Sequence, residues 1–458
     1  MAEERATTKH VIKIDQELLE NIEYLIEINA DNSLLNILVD IHPADIAELL
    51  NHLPTDKSIH LFHLLDSETA SDLILDLDET LREKVLESSE TERITDIVDE
   101  MEIDDATDII ADLPDEIAEQ VLDNIDSEDS QEVKELLKYP EDTAGGIMST
   151  NFIYVLDDQT VDDAINVVRK HSDDFDHIYH IYVLDRNDKL IGIVFLKTLI
   201  IYSRFKKISE VLEKDLIYVH PEVDQEEVAR TMTKYDLVAI PVVDSEMKML
   251  GRITFDDVVD VIQEEAVEDL SRIAGLNEEE ETSDTILDST KNRLPWLFVS
   301  LFGELISAFV LLSYQASIEK MIVASFFIPI VMALGGSSGT QAAIITVRSI
   351  SLGDLWPSHT TKKLIKEFKI ANINGFFLGS VLLISTFSLF KTEFSFSLLI
   401  AFTLLIILNF ATIVGAAIPI VLHKMKVDPA IATGPFVTTM NDIFGLLIYL
   451  GMVTFFLM

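Results

Sequence analysis

Five apolar stretches follow one another after residue 292: Leu294–Ser313, Met321–Val347, Ile370–Phe390, Phe396–Leu422 and Ala430–Met458. A bilayer core takes about 20 apolar residues in a helix, and each stretch supplies that. Buried core helices of a soluble domain run shorter and carry more charge, so this part is expected to span a membrane. The rest of the chain is its opposite. Residues 293–458 hold 7 acids and 10 bases, whereas residues 1–292 hold 73 acids and 24 bases. The net charge of −46 and the mean hydropathy of +0.27 therefore average two unlike halves. An acidic surface excludes nucleic-acid binding, which needs a basic face, and gathers cations instead. With no cysteine, thiolate metal sites, disulfides and cysteine nucleophiles are excluded. The start, MAEERATTKHVIKID, has no apolar core of a signal peptide.

Lysine and arginine set the expected orientation. Lys291 and Arg293 precede the first stretch, Arg348, Lys362, Lys363, Lys366 and Lys369 lie between the second and third, and Lys424 and Lys426 lie between the fourth and fifth. The alternate loops carry only Lys320 and Lys391, and the tail carries none. The acidic half is thus expected in the cytoplasm and the C-terminus outside, in a cell membrane. Two stretches read as broken helices. Pro329 and Gly335-Gly336-Ser337-Ser338-Gly339 interrupt the second, and Ala430-Ile431-Ala432-Thr433-Gly434-Pro435 opens the fifth. Freed carbonyls at membrane depth are tolerated only against protein or a water-filled path. Asp442, with Asn441 beside it, lies near the bilayer middle, and Glu304 lies in the first stretch. A carboxylate costs several kcal/mol there. Glu304 reads either as a helix–helix hydrogen bond or as part of the ion path, and Asp442 as a cation site.

The acidic half holds two kinds of unit. Residues 1–138 contain no glycine and read as all helical. A loose motif recurs as DIAELL from Asp45, DLILDL from Asp72, DIVDEM from Asp96 and DIIADL from Asp108, with Pro43, Pro54 and Pro114 at turns. Short helices stacked as a small superhelix are expected, with most of these aspartates on a solvated face. Residues 139–264 contain a helix–strand–strand–helix unit twice. Asp185 and Asp244, and Gly192 and Gly251, are each 59 residues apart. The pattern resembles paired CBS domains, a ligand-sensing module. The expected division is an N domain over 1–138, CBS units over 139–200 and 201–264, a connecting helix over 265–292 and a five-helix membrane domain over 293–458.

That order resembles the MgtE family of magnesium channels and transporters. The most specific stretches are FIPIVMALGGSSGTQAAIITVR (Phe327–Arg348) and VDPAIATGPFVTTMNDIFGLLIYL (Val427–Leu450). Magnesium is hard, takes oxygen ligands and gives up water reluctantly, so a pore for it should hold few charges and many oxygens. Asp442 with Thr438, Thr439 and the carbonyls near Gly434 meets that description. The resemblance implies a homodimer in the lipid bilayer, a pore lined mainly by the second and fifth helices, and Asp442 as the selectivity site. Asn441, Gly336 and Ser337 would line that path. It implies a sealing role for Asp428. It also implies regulatory Mg2+ at Asp224, Glu226, Asp236, Asp257, Asp260, Glu265, Glu268 and Asp269, and at Asp72, Asp104 and Asp108 in the N domain. Intracellular magnesium bound there would close the pore.

Three positions depart from the family pattern. Ser337 stands where many members have Asn. Thr198 replaces an acid in the first CBS copy. His180, Thr198 and Leu237 do not match the residues that hold a nucleotide in some members, so ATP is not carried over. The alternatives are a transporter of other divalent ions such as Co2+ or Mn2+, a CBS-gated chloride channel, and a non-conducting membrane-anchored CBS sensor. No catalytic motif is present, and an enzyme is not expected.

Overall fold

The computed structural model describes residues 14–172, 175, 177–276, 286–351, 360–432 and 434–457. The chain's first residues, part of the expected connector (277–285), the loop 352–359 and Thr433 lie outside this set. Two compact units divide the chain, Met1–Gln263 and Glu264–Met458.

In the first unit the glycine-free region forms ten short helices. They are α1 (Gln16–Glu27), α2 (Asp31–Leu38), α3 (Pro43–His52), α4 (Thr55–Phe62), α5 (Ser67–Ser71), α6 (Glu79–Ser88), α7 (Thr91–Val98), α8 (Ile103–Ala111), α9 (Asp115–Asn124) and α10 (Ser127–Leu136). Starts are marked chemically. Pro43 sits in the first turn of α3, Pro54 and Pro114 precede α4 and α9, and Asp15 and Asp66 accept from Leu18 N and Thr69 N. Helices pack on their second neighbours, α4 on α6, α5 on α7, α7 on α9 and α8 on α10. This is the stacking a repeated motif requires. Its apolar positions, among them Ile46, Leu50, Leu73, Ile74, Ile97 and Ile109, are buried, while Asp72, Asp96 and Asp108 are exposed.

The tandem units follow. β1 (Tyr154–Leu156) pairs in parallel with β2 (His180–Leu184), which pairs antiparallel with β3 (Leu190–Phe195). The helix α11 (Val161–Lys170) starts on a capping box of Thr160 and Asp163, and α12 (Leu196–Ile201) closes the copy. In the second copy, α13 (Gln225–Tyr235) precedes the antiparallel pair β4 (Ala239–Val243) and β5 (Met249–Thr254). The strands repeat the first copy 59 residues on, including the bulges at Val183/Leu184 and Val242/Val243. Val219, Ile240 and Ile253 of the second copy share one apolar core with the helical domain, and the first copy has a core of its own around Val155, Ile181 and Val194. The expected connector is no separate helix at its start. Helix α14 (Phe255–Ala274) runs unbroken from the second copy through residue 265.

The second unit is the membrane bundle: α15 (Ile286–Ser313), α16 (Gln315–Lys320), α17 (Ile322–Ser325), α18 (Ile328–Ser351), α19 (Thr360–Ser388), α20 (Phe394–Lys424) and α21 (Pro435–Leu457). Five spans meet the length and apolarity a bilayer demands: Ser289–Ser313, Ile322–Ser351, Thr360–Ser388, Phe394–Lys424 and Phe436–Phe456. α20 is central, packing on α18, α19 and α21, and α15 packs on α21. The glycine run does not break the second span. α18 passes straight through it, and the interruption comes earlier, between α17 and α18. Gly335 and Gly339 of the run serve packing. A Cβ at Gly415 of α20 would lie 2.1 Å from the Gly339 carbonyl oxygen, so only glycine lets these two helices meet. The fifth span does begin broken, with a 3-10 turn at Ala430–Ala432 before α21 starts at Pro435.

Candidate functional site

Two groups of the expected residues lie in the membrane unit. The first surrounds Asp442. Asp442 is half-buried on α21, and the Glu304 carboxyl of α15 lies beside it. The approach is set one residue earlier. A Cβ at Gly303 would come within 2.0 Å of Thr439 Cγ2, so the Thr439 side chain of α21 packs directly on the α15 backbone there. Thr439 therefore sits in a helix contact, whereas Thr438 is exposed and its hydroxyl donates to the Gly434 carbonyl at 3.3 Å. Asn441 is only 3% exposed, and among the described residues neither its Oδ1 nor its Nδ2 has a hydrogen-bond partner. It lies over Gly339, where a Cβ would meet its Nδ2 at 2.1 Å. Beside it, Ser338 Oγ and Thr412 Oγ1 share a hydrogen bond of 2.7 Å between α18 and α20. Gly336 is buried yet has open space where a Cβ would stand, and Ser337 is exposed. Residue spacing alone did not reveal that Glu304 faces Asp442. The Gly303–Glu304 pair was the available signal, a small residue beside a carboxyl in an apolar span.

The second group lies where α14 ends. Asp428 is half-buried before the 3-10 turn and accepts the Ala430 N–H at 2.8 Å. The Arg272 guanidinium bonds both Asp428 and, one turn back, Glu268. Asp269 accepts from Ser351 Oγ, at the end of α18, at 3.3 Å. Burial first, and then neighbouring carboxylates, hold Glu268 and Asp269 above the usual carboxylate range, with Arg272 pulling back. Gly434 faces the Ile273 carbonyl, 3.0 Å from where a Cβ would be. Glu265 is half-buried on α14, one turn before Glu268.

In the soluble unit, Asp104 of α8 and Asp257 of α14 come together, with Asp108 at the edge. Sequence reasoning missed their company: Glu102, Asp105 and Asp256. Glu102 is held above its ordinary value by burial, then by Asp257 and Asp256, and Arg252 opposes this from 3.9 Å. Burial and then Asp105, Asp257 and Glu102 push Asp104 far up, and one of its oxygens is sealed off without a partner among the described residues. Asp105 is pushed up to about 7 by burial and then by Glu102, Asp257, Asp108 and Asp256. The Asp257 carboxylate accepts from Thr254 N at 2.8 Å and Thr254 Oγ1 at 2.7 Å, yet burial still raises it. Asp260 faces Asp76, not Asp72, and both are raised by burial. The acids GluIle-Asp-Asp at the mouth of α8, residues 102–105, were the overlooked signal.

Other expected residues have local duties. Asp224 caps α13, accepting from Glu226 N at 2.9 Å, and Glu226 lies in the first turn. Asp236 ends that helix in the left-handed conformation, φ 52°. Asp72 follows α5 at the surface. Among the described residues no group of three acidic or imidazole side chains forms a ready-made metal cage. Between the CBS copies, a cavity of about 10 Å³ lies against His180, Tyr182, Ala239 and Arg252.

A five-span apolar bundle with a carboxyl pair at a helix junction, in one chain with an acidic helical domain and a tandem α/β pair, defines a multi-pass membrane protein. Comparison gives the family. Residues 328–452 match the family described as MgtE divalent cation transporters, residues 41–142 the MgtE intracellular N domain, and residues 144–204 and 208–264 the CBS domain. The magnesium transporter MgtE of Bacillus subtilis is 30% identical over 444 residues, 96% of this chain and 98% of that protein. The Enterococcus faecalis magnesium transporter MgtE is 33% identical over 329 residues, 72% of each. A crystal structure of the cytosolic domain of the Mg2+ channel MgtE in complex with ATP is 30% identical, with a TM-score of 0.50 over 53% of this chain and 99% of that one. The chain belongs to the MgtE family, and it is a transporter and not an enzyme.

Proposed function

We propose that this protein carries Mg2+ across a cell membrane, that Asp442 selects the ion, and that intracellular Mg2+ bound among the cytosolic acids closes the path. The observation that supports it most is the Asp442 carboxyl, set against Glu304 inside a membrane bundle otherwise poor in charge. Two neighbouring carboxyl groups repel as anions, and a divalent cation offsets that pair. Magnesium keeps several waters, which suits a site offering a carboxyl pair, the Thr438 hydroxyl and open space at Gly336 in place of a closed cage. The family's magnesium transporters support the same ion.

Closure rests on the acids of α8 and α14. Crowded carboxylates at α8 and the start of α14 favour a bound cation, because it relieves desolvation and repulsion together. A hydrated Mg2+ bridging Asp104, Asp105 and Asp257 would tighten the soluble unit, and Glu265, Glu268, Asp269 and Asp428 would do the same at the end of α14. The working assembly is a homodimer with the acidic half in the cytoplasm and the C-terminus outside. The proposed domains are an N domain over 1–138, CBS units over 139–200 and 201–264, a connecting segment over 265–292 and a membrane domain over 293–458.

Liposomes carrying the full chain test the assignment. Asp442→Ala should remove Mg2+ uptake, measured against Mn2+ and Co2+, while the protein stays folded and of unchanged size in detergent. Uptake by Asp442→Ala at the unaltered rate would show the site to be elsewhere.

A further inference from the structure

The resemblance implies a sealing role for Asp428 and regulatory magnesium at Glu268 and Asp269, near the end of α14. In the structure an arginine side chain joins two of these three acids. Arg272 reaches from α14 to Asp428, ahead of α21, and also holds Glu268 on its own helix. Asp428 is fixed from its other side by the Ala430 N–H at 2.8 Å. The contact is built from several directions: Asp269 bonds Ser351 at the end of α18, and the Ile273 carbonyl and Gly275 close over Gly434. The end of α14 thereby touches the exit of the second span and the broken entrance of the fifth.

A guanidinium and a magnesium ion neutralise carboxylates differently. The ion comes from solution, so its occupancy follows its concentration. A guanidinium tethered four residues from Glu268 is always present, and its planar fork bonds two carboxylates at once. We propose that Arg272 is a built-in latch that holds α14 against the entrance of α21 without magnesium, so that dissolved ions add to a closure already begun. This rests on the feedback reading above, in which that contact belongs to the closed state. Arg272 acts through Asp428 and is a positioning residue.

Patch recording of the full chain, with Mg2+ on the cytoplasmic face stepped from zero in chelator to saturation, tests it. Arg272→Gln should raise the current at zero Mg2+ about three- to fivefold, the range of a part-exposed ion pair, and move half-inhibition to higher Mg2+ by a similar factor. Arg272→Lys keeps the charge and should recover most of the difference. At zero Mg2+, where no ion is bound, Asp428→Asn alone should give the same rise, and the double variant Arg272→Gln/Asp428→Asn should exceed neither single change. Asp428→Asn also keeps the test decisive if Arg272→Gln does not fold. Currents at zero Mg2+ equal to those of the unaltered protein, or additive effects in the double variant, overturn the latch while leaving feedback intact. If cytoplasmic Mg2+ does not inhibit the unaltered protein, the feedback reading itself fails.

Discussion

Replacing Asp105 by Asn should stabilise the soluble unit, and the size of the gain follows from its surroundings. Asp105 is pushed from its ordinary 3.8 up to about 7, by burial first and then by Glu102, Asp257, Asp108 and Asp256. At about 1.4 kcal/mol for each tenfold change in proton affinity, that is about 4 kcal/mol of cost to the folded state when the group is ionised. An asparagine stays buried and polar, and the other acids keep repelling one another, so about half, ~2 kcal/mol, should be recovered. The sign with pH follows from linkage. Below about pH 4 the carboxyl is neutral folded or unfolded, and the substitution changes little. Between about pH 4 and 7 the folded state holds a proton that the unfolded state has lost, so stability falls as pH rises. Above about pH 7 the full cost is present and levels off. For the unit Met1–Gln263, whose relative crystallises as a separate cytosolic domain, ~2 kcal/mol is about 4–8 °C in Tm. Thermal unfolding at pH 8 in chelator should show that gain, and at pH 4 almost none. Millimolar Mg2+ should stabilise the unaltered unit more than Asp105→Asn, because the ion relieves the same repulsion. Equal Tm values at pH 8 in chelator, or an unchanged slope of stability with pH, would refute the argument.

Two further outcomes follow from the packing. Neutralising Asp257, Asp260 and Glu265 together (Asp257→Asn, Asp260→Asn, Glu265→Gln) should leave conduction intact but move its inhibition to higher cytoplasmic Mg2+, and an unshifted curve in patch recording would leave these acids without a gating role. Gly415→Val should cost about 3 kcal/mol or more by overpacking, because even a Cβ there meets the Gly339 carbonyl at 2.1 Å; detergent-solubilised protein should lose its single size-exclusion peak, and an intact peak with unchanged thermal stability would show that α18 and α20 can part.

Much of the architecture was legible along the chain, because its causes are local. Twenty apolar residues in a row leave a helix few options but a bilayer, a 59-residue repeat of strand pattern forms the same turn twice, and Pro43, Pro54 and Pro114 mark helix starts by chain stiffness alone. The glycine run misled for a related reason. Gly335 and Gly339 can break a helix or let another approach, and sequence cannot choose, since the choice depends on whether Ile407 arrives opposite Gly335, and Gly415 and Asn441 opposite Gly339. The same holds for charge. The family resemblance singled out Asp104, Asp257, Glu268 and Asp428 among many acids, but Asp105 against Glu102 and Asp257, Glu304 against Asp442, and Arg272 on Asp428 join residues up to 156 positions apart. Hydropathy and turn preference act over a few residues and are written into the sequence. Electrostatic partners and close helix contacts act through space, and only the tertiary structure decided them.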